Sequence, residues 1–283
     1  MLRFPSYYSP IQKLGSLSLS FGAYLVLAFL MLPILVIIPL SFNAEPFFSF
    51  TEGMLAFEPD AYSIKWYQQI WQDEKWMLAI KNSFLIGIAS TIVATVLGTL
   101  AAIGMSNSDM PFQRAIMALL LSPMIVPLII TAAGMFFFYT QLNLAGTYLG
   151  VIIAHAALGT PFVIITVNAA LAGFDHSLVN ASLGMGAKPG YTFFKVIMPL
   201  IRPGVISGGL FAFVTSFDEV VVVLFLAGPE QRTIPRQMFS GLREQINPTI
   251  LAVATLLVVL SMLLLLTIEY LRARSESIRL GEK

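Results

Sequence analysis

Six runs of mostly apolar residues, at 19–42, 78–105, 115–141, 147–173, 203–227 and 249–271, alternate with polar stretches along the chain. A helix rises about 1.5 Å per residue and the hydrocarbon layer is about 30 Å thick, so about 20 apolar residues make one crossing. Each run is long enough, and the pattern predicts an all-α integral membrane protein with six transmembrane helices. One polar stretch, 174–202, is itself patterned. Asp175 or Ser177 can cap a short helix through Leu178, Ala181 and Leu183, which Gly184, Gly186 and the pair Pro189 and Gly190 bring to an end. A second short helix is expected from about Tyr191, with Phe193, Phe194, Ile197 and Leu200 largely to one side, stopping near Pro199 and Pro203. The pair makes an elbow, an apolar knob ringed by Lys188, Lys195 and Arg202 that suits a groove on a soluble partner.

Composition narrows the function classes. Of 283 residues 57% are hydrophobic and only 11% charged, which fits lipid rather than a soluble core, and a net charge of +1 offers no pull toward nucleic acid. The absence of cysteine removes disulfides, thiolate metal sites and thiol nucleophiles. The histidines are His155 and His176, and no H-E-x-x-H, G-x-S-x-G or G-x-G-x-x-G spacing occurs, so neither a metal site nor an enzyme is expected. The first run is too long for the apolar core of a signal peptide and lacks a small-x-small site after it, so it reads as an uncleaved anchor.

Charge sets the expected orientation. Arg3, Lys13, Arg114, Lys188, Lys195, Arg202, Arg272, Arg274, Arg279 and Lys283 fall on the side holding both termini. Lys65, Lys75, Lys81, Arg232, Arg236 and Arg243 fall on the other, and the bias puts both ends in the cytoplasm. Trp66, Tyr67, Trp71 and Trp76 close the long outer loop before the second run; rings of this kind rest at headgroup level, and a helix lying on the outer surface is expected there.

Within the runs a few residues stand out. Ser90, Ala94, Gly98 and Ala102 fall every fourth residue in the second run, as do Gly204, Gly208, Ala212 and Ser216 in the fifth. Small stripes let helix backbones approach closely, either as static packing or as a surface that slides. Pro123 and Pro127 interrupt the third run and Gly159, Thr160 and Pro161 the fourth; each marks a fixed kink or backbone lining a cavity. Asp218 and Glu219 lie well inside the fifth run, where an acid costs about 2.5 to 3.5 kcal/mol, so they line the path of a cation or form a structural pair with interhelical donors. His155 reads as a hydrogen-bonding packing residue, Lys81 can reach the outer interface, and Glu269 sits one turn from Arg272 as an interfacial pair.

Asn180, Ala181 and Ser182, then Gly186 four residues after Ser182, then Val196, Ile197, Met198 and Pro199 resemble the E-A-A, Gly, I-x-L-P loop of ABC-importer permeases. Spacing is kept throughout. Asn180 stands where the family has Glu, Ser182 for Ala, Val196 for Ile and Met198 for Leu, so a salt bridge from the first position is not carried over while the Gly and Pro that shape the elbow are. The resemblance runs from Trp66 and Tyr67 to the sixth run and is closest to the second permease of spermidine/putrescine importers. Its residues there are Ser216-Phe217-Asp218-Glu219, Gly228-Pro229, Thr233-Ile234-Pro235, Asn247-Pro248 and Ala252-Val253-Ala254-Thr255. Permeases for opines, other organic cations and iron share much of this pattern.

The resemblance implies the type I ABC importer permease fold in a bacterial plasma (inner) membrane. It implies a complex with a second permease, two ATPase subunits and a secreted substrate-binding protein. ATP and Mg would sit on the ATPases, since no G-x-x-x-x-G-K-[ST] cradle occurs in this chain, and no cofactor is expected on the permease itself. The expected organisation is an N-terminal span and outer loop (1–77), a permease core with its coupling loop (78–271, loop 174–202), and a cytoplasmic tail (272–283). A secondary transporter driven by an ion gradient is the rival reading; six spans without a second repeat are few for it, and it leaves the elbow unused.

Overall fold

The structure is a computed structural model that describes residues 9–106, 110–173, 175, 177–244 and 247–280. In chain order its helices are α1 (Pro10–Leu40), α2 (Glu52–Leu55), α3 (Lys65–Gln72), α4 (Glu74–Met105), α5 (Gln113–Ile125), α6 (Leu128–Gln141) and α7 (Tyr148–Ala172). They continue with α8 (Ser177–Gly184), α9 (Pro189–Thr192), α10 (Met198–Asp218), α11 (Val221–Leu226), α12 (Ile234–Glu244) and α13 (Thr249–Leu280). Among the described residues the one β-type pairing is an isolated bridge between Asn43 and Tyr62. Among the described residues five helical stretches are long and apolar enough to cross a membrane: α1, α4, α7, the continuous Pro189–Asp218, and Thr249–Thr267 within α13. The third run is two helices, α5 and α6, that meet at 105° and pass the same test together, so the spans number six when the bent pair counts as one. Neither half is long enough to cross alone. Pro127 forces Val126 into an extended conformation (φ −70°, ψ 134°), which ends α5 and lets Pro127 start α6.

The chain divides into two units, the described parts of Met1–Ile70 with Gln245–Met262, and Trp71–Glu244 with Leu263–Lys283. In the first unit α1 starts nine residues before the run that predicts it, because Ser9 and Gln12 form a capping box in front of Pro10. Asn43 knots the loop that follows. Its buried amide donates to the carbonyls of Phe47 and Ser49 at 3.3 and 3.1 Å, and its own carbonyl accepts from Trp66 Nε1 at 2.7 Å. Trp66 thus spends its indole N–H inside the unit, in the helix α3 that the tryptophan cluster predicts. Tyr67 Oη and Ser41 Oγ hydrogen-bond at 2.6 Å, and Thr249 Oγ1 donates to Gln69 Oε1 at 2.9 Å, joining the start of α13 to α3.

The second unit is built on α4, α7 and α10, which pack against one another. Both small stripes are buried in these contacts: Ala94 and Ala102 are fully covered, and so is Ala212 to within 1%. A Cβ on Gly98 would stand 2.7 Å from Val163 Cβ, and one on Gly159 2.9 Å from Ala212 Cβ, so the glycines set how closely the helices approach. Gly104, on the same helix as Gly98, has nothing within 4 Å of the equivalent position. Gly98→Ala should therefore cost about 1 to 3 kcal/mol by overpacking. Gly104→Ala should be neutral or stabilise by about 0.5 to 1 kcal/mol through helix propensity. Thermal unfolding of the two variants in detergent measures the difference, and equal effects would show that close approach at Gly98 does not matter.

Candidate functional site

Sequence-predicted site residues fall at two places, one at each end of α10. The first is the elbow. α8 exposes Asn180 and Ala181 and buries Ser182, whose hydroxyl lies 2.9 Å from Thr192 Oγ1 of α9. Between them the chain reverses on Gly186, which has φ +84°. Ala187 N–H donates to the Ser182 carbonyl at 3.2 Å and Gly186 N–H to the Leu183 carbonyl at 2.9 Å. That is the Schellman pairing, and its left-handed residue favours glycine because a Cβ there crowds the following carbonyl. Ser182, Met185, Gly186, Ala187, Lys188 and Tyr191 line a shallow apolar depression of about 470 Å³ on this turn. Of these Met185 and Tyr191 stand exposed, and so does Phe194 farther along the elbow.

The second helix of the elbow does not stop at Pro199 or Pro203 as expected; Pro189–Asp218 is one continuous stretch. At Pro199 the physical reason is a π-helical turn at Phe193–Ile197, which covers the turn before it; Pro203 lies inside α10. Wider i→i+5 pairing accommodates a residue with no N–H and a ring that crowds the carbonyl one turn back. Val196 and Met198 are half-buried in this stretch and Pro199 is exposed. The elbow is thus the head of the same rod that forms the fifth span, and α10 alone, 21 residues, is about 30 Å long.

The far end of that rod is the second place. The fifth run is not a single helix: α10 ends at Asp218, Glu219 is extended (φ −72°, ψ 120°), and α11 begins at Val221. Asp218 is exposed, whereas Glu219 is only 7% exposed. Glu219 Oε1 accepts the Val222 N–H at 2.9 Å, so the carboxylate satisfies a helix N-terminus that would otherwise carry orphan donors. Arg236 answers it at the other end of α11, donating from Nη1 to the carbonyls of Ala227 and Gly228 at 2.9 and 2.7 Å. Burial, and then the neighbouring Arg232, pull the Arg236 guanidinium below its ordinary value; it stays a cation because that value is so high.

A third cluster, which the sequence did not announce, holds the connection from α11 to α12 against the starts of α4 and α7. Asn82 Nδ2 donates to the Glu230 and Arg232 carbonyls at 2.7 and 2.9 Å, and Tyr148 O–H reaches Asn82 Oδ1 and the Glu230 carbonyl at 3.0 and 2.9 Å. Ser83 Oγ accepts the Ile234 N–H at 2.8 Å. The signal was present as two polar residues, Asn82 and Ser83, inside an apolar run. Deeper in the bundle, His155 Nδ1 lies 2.8 Å from Ser216 Oγ, which also accepts from Ser90 Oγ at 2.9 Å. His155 is the hydrogen-bonded packing residue its position suggested. Ser90 and Ser216 had been legible only as small residues. Among the described residues no group of His, Asp and Glu is placed to hold a metal ion.

Residues 94–277 match the family described as "Binding-protein-dependent transport system inner membrane component". The chain is 30% identical over 265 residues to the putrescine transport system permease protein PotI of Escherichia coli (strain K12), covering 90% of each chain. It is 28% identical over 241 residues to the spermidine/putrescine transport system permease protein PotC of Haemophilus influenzae, covering 85% of this chain and 91% of the other. In fold it resembles a chain of a bacterial ABC transporter that imports the acidic polysaccharide alginate, with a TM-score of 0.69 at 14% identity over 95% of this chain and 99% of that one. A chain of the MetNI methionine ABC transporter matches with a TM-score of 0.54 at 20% identity, over 71% and 94%. Sequence family, apolar helices and fold agree: the chain belongs to the binding-protein-dependent transport system inner membrane components and is a multi-pass permease subunit of an ABC importer.

Proposed function

We propose that this permease imports a polyamine such as putrescine or spermidine, in a complex with a second permease, two ATPase subunits and a substrate-binding protein outside the cell. Both termini and the elbow face the cytoplasm in this reading. The observation that carries it is the unbroken stretch Pro189–Asp218, which joins an exposed elbow at one end to an exposed acid at the other. Asn180, Ala181, Ser182, Gly186, Val196, Met198 and Pro199 shape the surface that an ATPase grips. Closure of the ATPases on ATP and Mg moves the elbow as a lever, and the rod carries that motion to the break at Glu219. Alternating access follows from exchange between two packings of the rod.

Of the two acids, Asp218 serves the substrate path and Glu219 serves the fold. A protonated amine passing Asp218 gains a charge-assisted contact, while the Glu219 carboxylate is already engaged by the Val222 N–H. The substrate class is supported by the two polyamine permeases above and by the sign of Asp218. Opines, other organic cations and iron remain the competing cargoes for the same machinery.

Reconstitution tests it. Proteoliposomes carrying the complete complex, with ATP inside, should accumulate labelled putrescine or spermidine, and excess opine or ferric iron should not compete. Asp218→Asn should lower uptake about ten- to a hundredfold, the worth of one hydrogen bond to a charge. Uptake that needs an ion gradient and ignores ATP would favour a secondary transporter. ATP-driven uptake of another cargo would overturn the polyamine assignment alone.

A further inference from the structure

Three helices of the bundle meet at one hydroxyl. Ser216 of α10 accepts from Ser90 of α4 at 2.9 Å and sits 2.8 Å from Nδ1 of His155 on α7. The three side chains are 5%, 1% and 1% exposed. Among the described residues these are the side-chain hydrogen bonds that tie α10 to α4 and α7. Elsewhere those helices meet where side chains seat against small residues, Val163 against Gly98 and Gly208 and the Phe162 ring on Phe211, contacts that are packed but not hydrogen-bonded. With no other side-chain hydrogen bond between them among the described residues, the Ser216 link is the directional bond that has to open before α10 shifts.

The link is also incomplete. If Ser216 donates to Nδ1, the imidazole hydrogen is on Nε2; if Nδ1 donates to Ser216, Nε2 is a bare acceptor. In both tautomers Nε2 is buried and has no partner among the described residues. Ser90 does have an alternative, since its hydroxyl also lies 3.1 Å from the Gly87 carbonyl. Buried polar atoms without partners are rare, and each calls for an account.

We propose that His155 and Ser90 are positioning residues for transport: they hold Ser216, and with it the turn carrying Asp218, in one state of the cycle, and His155 Nε2 finds its partner in the other. This rests on the reading above that α10 moves between two states. The two imidazole nitrogens then favour different states, and amide side chains separate them. Asparagine at 155 places its amide near Nδ1 and keeps the Ser216 bond; glutamine reaches the Nε2 position and gives that bond up.

The test uses accessibility in the assembled complex. Val214, one turn before Asp218, is 44% exposed, and the chain has no native cysteine to interfere. In a Val214→Cys background, the rate of modification by a membrane-impermeant maleimide should differ between the resting complex and the complex trapped with ATP and vanadate. Ser216→Ala, Ser90→Ala and His155→Gln should shift the resting rate about tenfold toward the trapped value, the scale of one lost buried hydrogen bond. His155→Asn should shift it the opposite way. Ser90→Ala and Ser216→Ala each remove one oxygen and add no bulk, so assembly is retained. If the unmodified complex gives one rate in both conditions, the moving rod and this proposal fall together. If it gives two and the four variants leave the resting rate alone, or all move it in one direction, the reading of a moving rod stands and the proposal is overturned.

Discussion

Gly186→Val should reduce ATP-driven uptake to background while leaving the amount of protein in the membrane unchanged. The reason is conformational, not steric. A Cβ built on Gly186 meets nothing within 4 Å, yet the residue sits at φ +84°. A β-branched residue held there costs about 1 to 3 kcal/mol, and the strain is relieved if the residue relaxes to negative φ. Relaxation breaks the hydrogen bonds from Gly186 and Ala187 back to Leu183 and Ser182 and opens the Ser182 to Thr192 contact. It then redirects α9, and because Pro189–Asp218 is continuous the error is passed to the whole rod. Gly186→Asn should retain part of the activity, since asparagine tolerates the left-handed region. Uptake in proteoliposomes set against membrane abundance measures both; full transport by the valine variant would show that the elbow's shape is dispensable.

Neighbouring acids should give opposite phenotypes. Glu219→Leu removes the acceptor for the Val222 N–H and leaves the start of α11 unsatisfied at a buried position. A loss of about 1 to 3 kcal/mol in stability is expected, read as a lowered unfolding temperature in detergent. Glu219→Gln keeps an acceptor oxygen at the same place and should lose about 0.5 kcal/mol or less. Asp218→Asn should leave stability unchanged and depress uptake. A Glu219→Leu variant as stable as the parent, or an Asp218→Asn variant that unfolds early, would reverse the assignment of the two carboxylates.

Which features could be read in advance follows from the range of the forces that create them. Apolar runs located the spans, because burial in lipid is a demand on composition that each segment meets by itself. Their ends were misjudged where a cap extends the helix past the run. Ser9 with Gln12 draws α1 back to Pro10, and Asp73, whose carboxylate accepts the Lys75 N–H at 2.8 Å, starts α4 at Glu74. Gly186 was legible since a left-handed turn is a local requirement. The break at Glu219 was not, because Val221–Leu226 is as apolar as the helix before it and the cap is made by an acid that the sequence leaves open between the substrate path and an interhelical pair. Pro199 misled in the other direction, since the π turn that lets the helix continue past it leaves no mark in the pattern of polar and apolar residues. Ser90, Ser216 and His155 lie 126 and 61 residues apart in the pairs they form, and nothing near any of them in sequence announces the others.

An elbow gripped by the ATPase as a handle must lie within reach of that subunit. A photo-crosslinking amino acid at Tyr191, exposed on the rim of the elbow, tests it in the intact complex in native membranes. The account predicts that irradiation captures the ATPase subunit, with a yield that changes when ATP is trapped by vanadate. Capture of the substrate-binding protein, or labelling of this position by an impermeant reagent added from the outside, would contradict it.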